Sequence, residues 1–248
     1  MADKRTITYQ FAFPDGDTKE FSVDLEVPTL NFLRPAGPAP PPWTDLRDSQ
    51  CPNCPLSADK HARCPVAVNV APVVSAFGDC ESYADVDTTV LTETRDFHKR
   101  CSVQTGLSSL VGLIMVTSGC PVLDKLRPMA HVHLPFSSGK ETTFRAISAY
   151  VLSQCIRQYQ GRSADWDFDN LIHAYDEIHI VNKAFAGRIR SMCANDAGVN
   201  AVVILDSFAS LACFALSKEW WKDFEPLFAP CAVVPPQLPV ETVGLLGS

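Results

Sequence analysis

Residues 7–25, ITYQFAFPDGDTKEFSVDL, decide how the chain begins to fold. Ile7, Tyr9, Phe11 and Phe13 occupy every second position, and Phe21, Val23 and Leu25 do the same beyond the turn sequence PDGDT. A period of two sends alternate side chains to opposite faces of a strand. The stretch therefore reads as a β-hairpin over residues 6–25, with one wet face and one face that needs cover.

Outward from the hairpin the character changes. RPAGPAPPPWTD, from Arg34, is too rich in proline for helix or central strand. CPNCPLSADKHARC follows at 51–64. Residues 66–84 read as a helix interrupted at Pro72, and VDTTVLTETRDFHKRC at 86–101 as a third strand. From there the pattern is helical: an apolar helix over 103–118 with Gly106 and Gly112, then a short helix after Pro121 capped by Ser118 or Cys120. Next come a helix opened by the capping box Ser138–Glu141 and running to about Gln160, and helices over 168–193, 196–216 and 218–228. HVHLPFSS, from His131, reads as a loop or short extended piece.

The expected fold class is α+β: a small antiparallel sheet of hairpin plus third strand, joined by a Cys-rich loop to a mainly helical body. The parts divide as 1–33 hairpin, 34–66 metal-binding loop, 67–231 strand and helical body, and 232–248 flexible tail, within one globular domain.

The net charge of -7 argues against broad nucleic-acid binding, which wants a basic face. MADKRTITYQ lacks the apolar run of a secretory signal, and no stretch is long and apolar enough to span a bilayer. A soluble cytoplasmic protein is expected. In a reducing compartment its ten cysteines are not a disulfide framework, so the clustered ones point to metal or thiol chemistry. Cys155, Cys193 and Cys213 sit in apolar helical patterns as small hydrophobes.

Cys51-x2-Cys54 is the spacing that lets two sulfurs grip one metal across a tight turn. Cys64 supplies a third ligand, and the fourth comes from His61, Cys80 or Cys101. Structural zinc is the first choice. The prolines after the cysteines also suit an iron–sulfur cluster. A metal-free loop is the plainer alternative, and a dithiol redox pair fits the proline-rich surroundings poorly.

Cys120, in TSGCP, stands at a helix start, where the dipole lowers a thiol pKa; it is a candidate nucleophile, or else a buried thiol in a turn. On helix 168–193, His179 and Asn182 share the buried face of Leu171, Tyr175 and Ile178. Asp206 lies in an apolar helix and needs a partner, with His179 a candidate. These groups form an acid–base site, or a network that fixes helix register. His131 and His133 face the same way if HVH is extended, which is a metal-ligand spacing. Arg127, Arg145 and Arg100 surround HVHLPF and could hold a carboxylate or phosphate.

CPNCPL…CPVA and the block TSGCP…LRPMA…HLPF resemble an uncharacterised bacterial family, a domain of unknown function. The resemblance implies a soluble bacterial protein and adds no mechanism. The expected function is a metal-binding protein whose helical body binds a partner or a small acidic ligand. The alternatives are a thiol enzyme using Cys120 with His179 and Asp206, and a homodimer joined through Gly106, Gly112 and Trp220–Trp221.

Overall fold

A computed structural model describes residues 3–191, 196–216, 222 and 224–231. The alternation of 7–25 produces β1 (Lys4–Ala12) and β2 (Thr18–Glu26), paired antiparallel with Tyr9 opposite Phe21. Gly16, at φ 93°, closes the turn in a conformation that glycine adopts without strain.

The expected single strand over 86–101 is two strands, β3 (Asp85–Leu91) and β4 (Asp96–Ser102). The chain reverses between Thr92 and Arg95, where the Thr92 hydroxyl donates to the Arg95 carbonyl at 2.6 Å and accepts from the Arg95 amide. The sheet is therefore four-stranded, in the order β2-β1-β3-β4, all neighbours antiparallel. One face is wet. The other buries Ile7, Tyr9, Phe11, Val23, Leu25, Val86 and Val90, each contributing about 1.5–3 kcal/mol.

Helix α1 runs over Pro65–Ala76, with Cys64 as N-cap, Pro65 at its first position and Pro72 inside. It ends well before residue 84, and the chain then passes through turns around Cys80 to β3. Helix α2 (Val103–Thr117) has ten buried residues because it lies between the sheet and the other helices. A 3-10 segment, Leu123–Ala130, follows, with Val122 as its N-cap; the Cys120 sulfur meets the amides of Val122 and Leu123 at this start, whereas the Ser118 hydroxyl donates back to the Met115 carbonyl.

Helix α3 (Gly139–Tyr159) starts at Ser138 with both bonds of the capping box in place. Helices α4 (Asp169–Arg190) and α5 (Ala197–Leu216) pack side by side, and α5 also packs on α2. A short α6 spans Glu225–Phe228. The architecture is α+β. Cys193, Trp220, Trp221, the side chain of Cys213 and the tail 232–248 lie outside the described residues. Among the described residues, no helix is long and apolar enough to cross a membrane.

The two glycines of α2 make their close approaches within the chain. A Cβ on Gly106 would stand 2.7 Å from Thr88 Oγ1 and 2.9 Å from the Phe11 ring; one on Gly112 would stand 3.0 Å from Leu205 Cδ2. Both are thus explained by packing against the sheet and α5, without a second subunit.

Candidate functional site

Helices α2, α3, α4 and α5 and the 3-10 segment leave a cavity of about 470 Å³ between them. That volume lies in the range of small-molecule sites. Leu113, Met115, Leu126, Met129, Ile178 and Leu205 make much of the wall apolar. Polar groups interrupt it: Ser108 and Ser109 from α2, Thr142 and Arg145 from α3, Asn182 from α4, and His133 and Ser137 from the loop between.

Arg145 is the main electrostatic feature of this wall. Its Nη2 donates to the Met129 carbonyl at 2.9 Å, while its Nε is buried with no hydrogen-bond partner among the described residues. Burial disfavours its charge, and the neighbouring Tyr175, Glu141 and Tyr9 only partly offset this. Among the described residues no carboxylate forms an ion pair with it. Glu141, the one carboxylate in the wall, accepts from the Ser138 amide at 2.7 Å and hydroxyl at 2.8 Å. Its duty as the N-terminal cap of α3 holds its carboxyl below the usual carboxylate range. Lys99, whose ammonium lies 5.9 Å from the centre of the Phe136 ring, adds a second cation to the rim.

The HVH segment is in a turn and not extended, so His131 and His133 do not act as a pair. His131 is exposed, and its carbonyl accepts from Arg5 at 2.7 Å. His133 turns inward, and its Nε2 shares a 2.6 Å hydrogen bond with the Tyr9 hydroxyl. Burial, then Arg145 and Arg5, press the His133 pKa down to about 3, so the imidazole is neutral. Burial likewise keeps the Tyr9 phenol protonated.

The other arginines are engaged elsewhere. Arg127 bonds the Asn31 side chain and stands 3.8 Å from Asp124, and Arg100 pairs with Asp85 on the exposed side of β3 and β4. His98, beside it, bonds Thr89 at 3.1 Å. His179 does meet Asp206: Nδ1 and Oδ1 are 2.7 Å apart, linking α4 to α5. The pair is partly exposed, and neither residue lines the cavity. Asn182, one turn further along α4, is buried and does line it.

The thiols fall into separate places. Cys51, Cys54, Cys64 and Cys120 line one small cavity of about 20 Å³, and Leu46, Leu56, Val122, Val181, Phe185 and Arg188 are also in its wall. Cys80 is beside the hairpin turn, near Lys19, Asp15 and Asp17. Cys101, on β4, contacts Thr88 at 3.7 Å. His61 is exposed. Burial, then the neighbouring Cys64, Cys120 and Cys54, push the Cys51 pKa up to about 12, against the opposing pull of Arg188.

Cys120 is 8% exposed, and burial raises its pKa despite amide N–H groups from Leu123 and Val122 at its sulfur. The lowering expected at a helix start is present through these amides but is outweighed by burial. Among the described residues no histidine lines the Cys120 cavity, and His179 pairs with Asp206 away from it, so these residues do not bring Cys120, His179 and Asp206 together. Among the described residues, no group of three or more His, Cys, Asp or Glu side chains is gathered tightly enough to hold a metal ion as it stands.

Tyr9 is missed in the sequence, where a fully buried phenol looks like one more strand aromatic. Arg188 reads in the sequence as a candidate partner for Asp206, but it is 5% exposed and bonds main-chain carbonyls instead. No curated protein and no solved structure matches the chain. A family profile described as a domain of unknown function, DUF6901, matches residues 7–229. With nearly all of the sheet, the helices α1 to α5 and both cavities inside that span, the chain belongs to the DUF6901 family.

Proposed function

We propose that the protein binds a small molecule with an apolar body and an anionic head in the cavity between α2, α3, α4 and α5. The observation that carries this reading is Arg145, whose buried Nε has no partner among the described residues, in a wall that is otherwise largely apolar. A buried guanidinium donor without an acceptor is costly, and a carboxylate supplies two acceptors in matching geometry. The serines and Asn182 then select orientation, and the apolar side chains provide most of the contact area. The neutral His133 adds a polar group without adding charge.

Isothermal titration with decanoate and with decanol tests this directly. Decanoate binds the more tightly, and Arg145→Met lowers its affinity by roughly 10–100-fold, as expected for losing a charged hydrogen bond. Equal affinity for the acid and the alcohol, or unchanged decanoate binding by the variant, would remove Arg145 as the head-group site.

A further inference from the structure

The second cavity brings together residues that the sequence separates. Cys51 and Cys54 come from the proline-rich loop, Cys64 from the N-cap of α1, and Cys120 from the turn after α2. Four cysteines around one space of about 20 Å³ have no packing reason to coincide; that volume is the room of one ion or one water. We propose that Cys51, Cys54, Cys64 and Cys120 hold one thiophilic metal centre, with Cys120 as its fourth ligand and Arg188 as its buried counter-charge.

Arg188 is an independent observation. Its guanidinium is buried in the same wall and donates to three main-chain carbonyls, of Trp43 and Asp45 at 2.9 Å and of Ser49. Among the described residues no carboxylate pairs with it. A buried cation calls for an anion nearby. Four thiolates around a divalent ion carry a net negative charge and supply that anion. The amides of Val122 and Leu123 at the Cys120 sulfur are donors of the kind that support a metal-bound thiolate.

The thiols ring the space without converging on one point. A tetrahedral zinc site brings sulfurs to about 2.3 Å from the metal. Binding therefore requires the four thiols to move inward, and each releases its proton as it binds. The small cavity favours a single zinc ion over the larger iron–sulfur cluster.

This proposal is independent of the ligand pocket and is tested without reference to it. The full chain is purified anaerobically, loaded with zinc or with ferrous iron and sulfide, and analysed for metal and sulfide per chain. About one zinc per chain is expected; a stoichiometric iron–sulfur centre supports the same ligand set, and no stoichiometric metal under either loading overturns it. Cys120→Ser weakens binding at least about tenfold, whereas Cys80→Ser leaves it unchanged. The reverse pattern overturns Cys120 as ligand.

The unmutated loaded protein provides a measurement free of folding defects. In native alkylation read by mass spectrometry, the half-buried Cys54 and Cys64 become reactive together only after chelation, while Cys80 reacts equally before and after. Alkylation of Cys54 and Cys64 at the same rate in loaded and chelated protein overturns the proposal.

Discussion

Tyr9 and His133 join the sheet to the wall of the larger cavity through one 2.6 Å hydrogen bond. Either the phenol donates to Nε2 or an Nε2–H donates to the phenol oxygen, according to the tautomer, and burial with two nearby arginines holds the His133 pKa down to about 3. An unfolded histidine titrates near 6.5. Above that pH both states carry a neutral ring, and the group has no effect on stability. As pH falls below 6.5 the unfolded chain takes up a proton that the folded chain refuses, so stability declines until the folded ring itself titrates near pH 3. The loss between pH 7.5 and pH 5 is about 1–2 kcal/mol from this residue. Urea unfolding of wild type and His133→Gln at those two pH values isolates it, because the depressed carboxylates such as Glu141 contribute equally to both proteins. Identical pH dependences would mean that His133 titrates normally. At this scale the sequence was partly legible. The Cys51–Cys54 spacing is local, and Arg145 was visible as a cation near HVHLPF, but the pairing of His133 with Tyr9 depends on a tertiary contact that no spacing encodes.

Helix α2 shows what close approach does for an element. Gly106 sits where a Cβ would meet Thr88 at 2.7 Å and Phe11 at 2.9 Å, and both neighbours are fully buried in the sheet. Alanine there gains about 1 kcal/mol of helix propensity but overpacks a rigid contact at about 1–3 kcal/mol. Gly112 faces only the end of the Leu205 side chain at 3.0 Å, which turns aside at little cost. Gly106→Ala is therefore destabilising by up to about 2 kcal/mol, and Gly112→Ala is neutral or stabilising by up to about 1 kcal/mol. Equal shifts in the denaturation midpoint for the two variants would refute docking of α2 through Gly106. The elements themselves were largely readable. Period-two alternation marked β1 and β2, and Ser138–Glu141 marked the start of α3. The break between β3 and β4 escaped because TETR lacks the glycine, proline, asparagine or aspartate that usually signals a turn; the Thr92 hydroxyl closes it instead. Of the two readings of HVHLPFSS, loop or short extended piece, the loop holds, because the segment follows a 3-10 run and continues to turn.

Across the whole molecule, the proline-rich loop has little apolar surface of its own and is held by what it touches. Leu46 and Thr44 are buried, and Cys64 returns an amide bond to the Thr44 carbonyl at 2.8 Å. The main ties run to α4. Asn53 donates to the Glu177 carbonyl and carboxylate, both at 2.9 Å, and Arg188 donates to the carbonyls of Trp43, Asp45 and Ser49. A planar fork with several donors serves three carbonyls at once, which a lysine ammonium on a flexible stem does not. Arg188→Lys leaves buried carbonyls without partners and costs about 2–4 kcal/mol. The loop and the sheet touch different parts of the helical body, so the damage is local. Hydrogen exchange on chelated protein, in which no metal holds the cysteines, reads this out by segment. Amides of Leu46, Cys54 and Cys64 lose protection in the variant, while those of Tyr9 and Val90 in the sheet keep theirs. If protection falls evenly over loop and sheet, the loop and the core open as one cooperative unit, and Arg188 supports the whole fold and not the docking of the loop.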